Sequence, residues 1–467
     1  MGFKVVIAGA SVSGLSLANM LEKFNIDYVI LEAYPNVAPQ LGASIGLLPS
    51  GLRILDQLGC YEPIRRMVGN CYYQNSLRRF DGRVLAKNKH ITFSERLEQK
   101  VGYPQIFIDR QTLLQVLFDN LKFKDRVVTS KRVTRIDKAE GYVHVQTQDG
   151  CTYTGDIVVG ADGVHSTVRK EMWRNASEAG SDLFHPDEES RLQSDSKCIF
   201  GISKRPPALQ AGPIQINAFF NGRNYMMLSA PGDRLYWFLF NGMEKASGRG
   251  IPKFTKQDEA HLAEQYHGDS ITKTTTFGDI YANRLCSTLV AIEEHVFARW
   301  HFGRIITIGD AAHKVHPITA QGGNGAMETA AALVNALRRK LDQGSADARL
   351  SVEDVEDIFA EVQASRFDRA ADSVSQGRRS KAISTQDTLF SRFFVHVVLA
   401  WFSDLLILTL VLNNYKNSTI VEDLNVPKRH GVTILQEGSL ESKKRWFLWS
   451  SGAFGAGLLG VLLYNCT

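Results

Sequence analysis

Three glycine-containing turns carry the chemistry open to this chain. Gly9-Ala10-Ser11-Val12-Ser13-Gly14 follows the apolar run Phe3–Ala8 and precedes a helically spaced segment with Leu15, Ala18, Leu21 and Phe24 near one face. Such a turn needs glycine where the backbone bends and where strand and helix pack closely. The helix N-terminus then presents free N–H groups to a pyrophosphate. Ser11 stands where the usual pattern has its middle glycine, and its side chain is small enough to let a phosphate approach. Glu32 ends the next strand, where a carboxylate accepts hydrogen bonds from a ribose diol. The turn alone would suit any tight α/β connection; the flanking strand, helix and placed acid make it a nucleotide site.

The second turn is Gly160-Ala161-Asp162-Gly163-Val164-His165-Ser166-Thr167-Val168-Arg169. An apolar strand runs into Gly-Asp-Gly and then into a helix opened by Ser or Thr. The residues allow a ligand-binding turn or a plain strand-to-helix turn capped by Ser166. The third, Gly309-Asp310-Ala311-Ala312-His313, continues through Pro317 to Gln321-Gly322-Gly323-Asn324-Gly325-Ala326-Met327-Glu328. Its glycine-rich loop opens a helix of good helix formers, Met327–Arg339. Backbone donors there face negative charge, and Asp310 at the strand end can bond a sugar-like hydroxyl. His313 and His316 lack a metalloprotease-type carboxylate spacing, so no metal site is expected.

The elements that must position these turns begin with a βαβ opening: strand Phe3–Ala8, helix Ser13–Phe24, strand Tyr28–Leu31. Helices are expected at Pro49–Leu58 and Arg110–Leu121, and strands at Val127–Ile136, Tyr142–Gln146 and Asp156–Gly160. Residues 177–196, rich in Ser, Asp and Glu, read as a solvent loop. Beyond them come short β-branched and aromatic strands, Ile214–Phe220, Tyr225–Ser229 and Leu235–Phe240, joined by Asn221-Gly222 and Pro231-Gly232-Asp233 turns. Ile305–Ile308 returns to a buried strand. Ser351 and Asp354 form a capping-box pattern at the head of a long helix with acids early and Arg366, Arg369, Arg378 and Arg379 late. The fold class is α/β, divided as a first dinucleotide-binding part (1–175), an inserted antiparallel sheet (176–295), a second binding part with the long helix (296–385) and a hydrophobic C-terminal region (386–467).

In this order and separation the three motifs resemble the class A flavoprotein monooxygenases of the para-hydroxybenzoate hydroxylase fold, over residues 1 to about 385. The resemblance implies a Rossmann-like FAD-binding domain, FAD as cofactor, NADPH as co-substrate without a Rossmann domain of its own, and O2 as oxidant. By position it implies that Gly9, Ser11, Gly14 and Glu32 hold the AMP half of FAD. Asp310 and Gly323 would hold the pyrophosphate and ribityl part, and Asp162 either FAD or NADPH. Gly46 in the Gly42–Leu48 loop and Arg110 in Asp109-Arg110-Gln111-Thr112-Leu113 would also touch FAD. Ala320 departs from the family's glycine before Gln-Gly.

A narrower resemblance, over the whole chain, is to fungal membrane-associated FAD epoxidases of the paxilline and meroterpenoid type. It implies a lipophilic prenylated substrate (a meroterpenoid or indole-diterpene intermediate), epoxidation through a flavin hydroperoxide, and a membrane terpene cyclase as partner. Tyr225, in Gly222-Arg223-Asn224-Tyr225-Met226, matches a tyrosine taken as catalytic in that group; the residues equally allow a sheet aromatic that lines a pocket. Aromatic hydroxylation, flavin-linked lipid oxidation or reduction, and a non-catalytic membrane flavoprotein scaffold stand as alternatives.

The net charge of +5 over 467 residues, with no dense Lys/Arg stripe, gives no expectation of nucleic-acid binding. The six cysteines are scattered without a C-x-x-C pair, as suits reduced thiols and a cytosol-facing body. Phe3–Ala8 is too short for a signal-peptide core. Trp446–Tyr464 is uncharged, flanked by Lys443, Lys444 and Arg445, and long enough to cross about 30 Å of hydrocarbon. It reads as a tail anchor, in the endoplasmic reticulum membrane, with the enzyme on the cytosolic side. Phe393–Leu412 is also long enough, but a central Asp404 costs about 2.5–3.5 kcal/mol. It is either a second span, placing Asn417-Ser418-Thr419 in the lumen, or a core or interfacial helix.

Overall fold

The computed structural model describes residues 2–38, 44–87, 91–343, 349–386 and 388–429. One layer is a six-stranded sheet in the order His301–Phe302, Ile305–Thr307, Ile157–Gly160, Lys4–Ala8, Asp27–Leu31, Val127–Val128. From Ile305–Thr307 to Val127–Val128 the strands run parallel, with Ile7 beside both Val159 and Ile30. Apart from Lys4 and Asp27 at two strand starts and Thr307 at one strand end, they are apolar, because both faces are covered. Val5 and Ile7 pack with the helices Val12–Lys23 and Gln321–Gln343, while Val6 and Ala8 pack with Val133, Ile136, Val168 and Met172 on the other side.

The expected strand Val127–Ile136 is two strands. Ser130 takes a left-handed φ of 55° and breaks it. Val127–Val128 edges the parallel sheet, and Val133–Ala139 opens a separate three-stranded sheet with Tyr142–Thr147 and Thr152–Gly155. Serine carries no strong turn signal, so the break is invisible in the residue pattern.

The second layer has eight strands: His313–Lys314, Arg284–Val296, Gln193–Lys204, Arg234–Ser247, Arg223–Ala230, Ile214–Phe220, Gln74–Arg78 and Val84–Lys87. It is therefore not confined to an insertion at 176–295. Gln74–Arg78, too polar to read as a strand, adds in parallel to Ile214–Phe220 with Leu77 beside Asn217. Alternation gives the sheet two faces. Tyr225, Met227, Trp237 and Leu239 face the helices Lys256–Gln265 and Phe277–Ala282. Cys198, Leu228, Tyr236, Phe238 and Phe240 face the parallel-sheet domain, where they join its core.

Val352–Ser384 is the expected long helix, and Ser351 and Asp354 form its capping box. The Phe393–Leu412 run is not one continuous α-helix. Helix Leu389–Phe393 passes into a π-helical turn, Phe394–Leu399, and then into helix Ala400–Lys416. Among the described residues no helix is long and apolar enough to cross a membrane. The expected anchor Trp446–Tyr464 lies outside the described residues.

Candidate active site

Four parallel strands end side by side, and each delivers one expected binding element at its C-terminal edge. Asp27–Leu31 leads to Glu32, Lys4–Ala8 to Gly9, Ile157–Gly160 to Asp162, and Ile305–Thr307 to Asp310. The chain leaves the Lys4–Ala8 strand for neighbours on opposite sides, which makes this edge the topological switch point where open α/β sheets bind ligands.

The glycines are fixed by close approach. Gly9 has φ +103°, and a Cβ on it would meet Ala161 O at 2.6 Å; one on Gly14 would meet Gly9 O at 2.0 Å. Gly309 (φ +59°) packs on the first motif, where a Cβ would lie 2.2 Å from Ser13 Oγ. The first and third motifs thus touch across some three hundred residues of sequence. Gly323 packs on Ile45, where a Cβ would meet Cδ1 at 2.6 Å.

Asn324, absent from the sequence-derived site, clamps the loop that carries Gly46. Its Oδ1 accepts from Leu48 N at 3.0 Å, and its Nδ2 donates to Gly46 O at 3.0 Å and Ala320 O at 2.6 Å. Ala320, the departure from the family pattern, holds a left-handed φ of 55°, a conformation that glycine adopts without strain. A Cβ on Gly46 would meet Ala320 Cβ at 2.8 Å.

The acids and the arginine converge. Glu32 accepts from Ala10 N at 2.6 Å and Tyr34 N at 2.9 Å. Arg110 Nη2 donates to Ser11 Oγ at 2.8 Å. Burial lowers the Arg110 pKa, while the nearby Asp310 and Glu32 carboxylates support its charge. Asp310 pairs with Lys314 and remains a third exposed at the crevice. A pocket of ≈ 470 Å³ opens beyond Tyr34, between Pro35–Ala38 and Gln111, Gln115 and Thr129. Glu32, the Ser11 turn and Asp310 thus gather around Arg110, and together they offer ribose acceptors and phosphate donors. This is the composition an FAD requires, and the cradle glycines leave no room for side chains where its backbone contacts would fall.

Asp162 is held at the head of the helix Thr167–Glu178. Its Oδ1 accepts from Ser166 Oγ at 2.5 Å, and its Oδ2 from Thr167 N at 2.7 Å and Val168 N at 3.1 Å. Ser166 Oγ in turn accepts from Arg169 N at 2.9 Å. Asp162 is spent capping the helix Thr167–Glu178, so the capped-turn alternative is the arrangement found. Burial pushes its carboxyl up, against these hydrogen bonds. Arg169, missed in the sequence, ties this turn to the third motif through Ala311 O at 2.8 Å and Val164 O at 2.6 Å.

The histidines are structural. His313 bonds Thr329 Oγ1 at 2.9 Å, and burial lowers its pKa to about 4. His316 Nδ1 accepts from Ile318 N at 3.2 Å, and burial lowers it to about 3. Both are neutral at pH 7.

Tyr225 is not brought to this crevice. It is fully buried on the opposite face of the eight-stranded sheet, with its ring against Phe220 and Phe277. Its OH donates to Asp269 Oδ2 at 2.5 Å, and Asp269 also holds Arg223 at 2.6 and 2.7 Å. Burial and then Asp269 push the phenol well above its ordinary pKa. We expect Tyr225→Phe to retain FAD and turnover while losing about 1–2 kcal/mol of stability from one buried hydrogen bond to a carboxylate. The check is turnover beside a denaturation midpoint; lost turnover with an unchanged midpoint would return Tyr225 to the reaction.

Fold and site define a dinucleotide-binding α/β protein whose second sheet roofs the crevice. The model of the FAD binding domain family matches residues 2–353. The FAD-dependent monooxygenase spyC of Aspergillus fumigatus is 36% identical over 83% of this chain and 81% of its own. The FAD-dependent monooxygenase olcE of Penicillium canescens is 34% identical over 96% and 95%. Among solved structures, Klebsiella pneumoniae HpxO complexed with FAD and uric acid superposes with a TM-score of 0.70 at 22% identity, covering 89% of this chain and 97% of that one, a likeness of fold. The chain belongs to the FAD-binding domain family and is an FAD-dependent monooxygenase.

Proposed function

We propose that the enzyme inserts one atom of O2 into a carbon–carbon double bond of a lipophilic prenylated intermediate and takes its electrons from NADPH. The balance is alkene, O2, NADPH and a proton to epoxide, water and NADP⁺. One observation carries the choice of substrate class: the roof over the crevice is apolar. Phe200, Met226, Leu228, Phe238 and Phe240 line its inner face on central strands, with the ring of His316 against Phe240 and Tyr236 in the same cluster. Such a wall buries a prenyl chain and excludes water.

FAD, when bound, supplies reduction by NADPH and activation of O2. Glu32, the Ser11 turn, Arg110, Asp310 and Gly323 in the first turn of the helix Gln321–Gln343 would hold it. The Asn324 clamp fixes the short strand Ser44–Leu47, which carries Gly46, against the Ala320 turn. A terpene cyclase at the same membrane would consume the epoxide, and the uncharged Trp446–Tyr464 run would keep enzyme and substrate in the endoplasmic reticulum membrane with the catalytic body in the cytosol.

The test is incubation of the FAD-loaded enzyme with NADPH, ¹⁸O2 and a panel of farnesylated and geranylgeranylated aromatics. We expect one ¹⁸O on the prenyl chain and NADPH consumption that depends on substrate. Label on the aromatic ring would make the enzyme a hydroxylase, and oxidation without label would exclude oxygen insertion.

A further inference from the structure

We propose that the segment Leu389–Leu399 is a two-sided device, whose outer ridge seats in a lipid bilayer surface and whose inner side closes the substrate roof. This rests on the lipophilic-substrate reading and adds to it the route by which that substrate arrives.

The outer side is apolar and open to solvent. Leu389, Phe393 and Val397 recur at four-residue steps, which places them along one side of the helical segment. They are 81%, 57% and 42% exposed, and Phe390 beside them is 46% exposed. A water-facing row of this kind has no stabilising role in a free monomer. Residues 388 to 399 contain no acid, and Arg392 flanks the row. The Gln74–Arg78/Val84–Lys87 hairpin adds exposed Phe80 and the partly exposed guanidiniums of Arg79 and Arg83 at its turn. Arg79 and Arg83 share Asp81, so the hairpin turn carries a net positive charge, and an exposed apolar row beside it matches the acyl boundary and headgroup region of a membrane face.

The inner side of the same segment touches the site. Val395 is fully buried against Leu77 and Phe219, with Leu85, Ala86 and Ile383 around them. Phe219 lies on the crevice-facing side of its strand, opposite in alternation to Ala218 and Phe220, which join the far-side core. The π-helical turn Phe394–Leu399 falls at this contact, a deviation from regular helix that is common at functional sites. A substrate leaving the bilayer across this segment meets the apolar roof without crossing water. A bilayer, rather than a second copy, is the expected occupant because the chain beyond Arg429 runs on into the uncharged Trp446–Tyr464 stretch behind Lys443-Lys444-Arg445.

The test uses the full chain carrying Cys151→Ser, Cys286→Ser and Cys466→Ser, with a single cysteine bearing an NBD fluorophore at Leu389, Phe393 or, as control, His267. Vesicles of phosphatidylcholine and phosphatidylserine contain shallow spin-labelled lipid as quencher. We expect severalfold stronger quenching at 389 and 393 than at 267. We also expect Leu389→Glu/Phe393→Glu to raise the KM for vesicle-delivered substrate severalfold, with FAD content and kcat for a short detergent-dispersed substrate unchanged. Vesicle binding with 389 and 393 unquenched would overturn the ridge while sparing the tail anchor. No vesicle binding would overturn both. A blue shift that grows with protein concentration in the absence of lipid would assign the ridge to a second copy instead. Quenching as expected in an enzyme that labels no prenyl chain would uphold docking and reject the epoxidation reading.

Discussion

Asp310→Ala is expected to purify colourless and to bind added FAD about 10- to 150-fold more weakly, while folding normally. The carboxylate sits at the mouth of the third strand end, and it pairs with Lys314 on the following turn. It contributes little to packing, so its removal should change apo-protein stability by no more than about 0.5 kcal/mol. Its value lies in the hydrogen bond it accepts from a bound hydroxyl, and a charged partner of this kind is worth about 1.5–3 kcal/mol, at about 1.4 kcal/mol for each tenfold. Asp310→Asn keeps the shape but loses the charge, and should fall between wild type and alanine. FAD fluorescence titration beside thermal unfolding of the apo-protein separates the two effects. A stoichiometrically yellow Asp310→Ala protein would show that the third motif does not hold the cofactor.

Glu328→Gln is expected to cost about 3–5 kcal/mol of stability, the largest loss available from a single side chain near the site. Glu328 is fully buried on the helix Gln321–Gln343, which begins with the glycine-rich segment itself rather than after it. It accepts from Arg366 at 2.7 Å and from Arg369 at 2.6 and 2.8 Å, both on the long Val352–Ser384 helix. Arg366 is itself only 2% exposed, so the substitution leaves a buried guanidinium without its counter-charge. The pH dependence follows from the direction of the shift. Burial alone would raise the Glu328 carboxyl, but the two arginines hold it below the ordinary range. Its stabilisation is therefore complete above that range and disappears as acidification passes through its lowered folded pKa. Urea midpoints should fall steeply in Glu328→Gln at neutral pH, and the gap from wild type should narrow in acid. Glu328→Gln/Arg366→Met, which removes the stranded charge as well, should recover part of the loss. A midpoint unchanged by Glu328→Gln would mean that the network does not join the two helices energetically.

The binding edge was legible because its elements are encoded in backbone demands. Gly9, Gly14 and Gly309 are written into the sequence by contacts that admit no Cβ, and Glu32 and Asp310 by their place at strand ends. Asp162 shared that signature, yet a Gly-Asp turn followed by Ser166 suits a helix cap equally well, and only the positions of the carboxylate oxygens decide. Tyr225 failed for another reason. The Pro231-Gly232-Asp233 turn sets Ala230 opposite Arg234, and that register puts Tyr225 on the same face as Leu239. Sequence alone does not say which face meets the cofactor. Asn324 and Arg169 act through partners far away in the chain, and the Glu328–Arg366 pair joins two helices. Such pairings depend on tertiary placement, which periodicity cannot carry. Gln74–Arg78 escaped notice because a polar edge strand lacks apolar alternation.

The strand ends that lead to Gly9, Glu32 and Asp310 are expected to assemble one FAD site from motifs some three hundred residues apart. The most direct measurement is calorimetric titration of apo-protein with FAD, carried out alongside visible absorption spectra of the purified full chain. The account predicts a yellow protein that takes up FAD at a single site and loses that affinity in Asp310→Ala. A colourless preparation that takes up no flavin on reconstitution would contradict it.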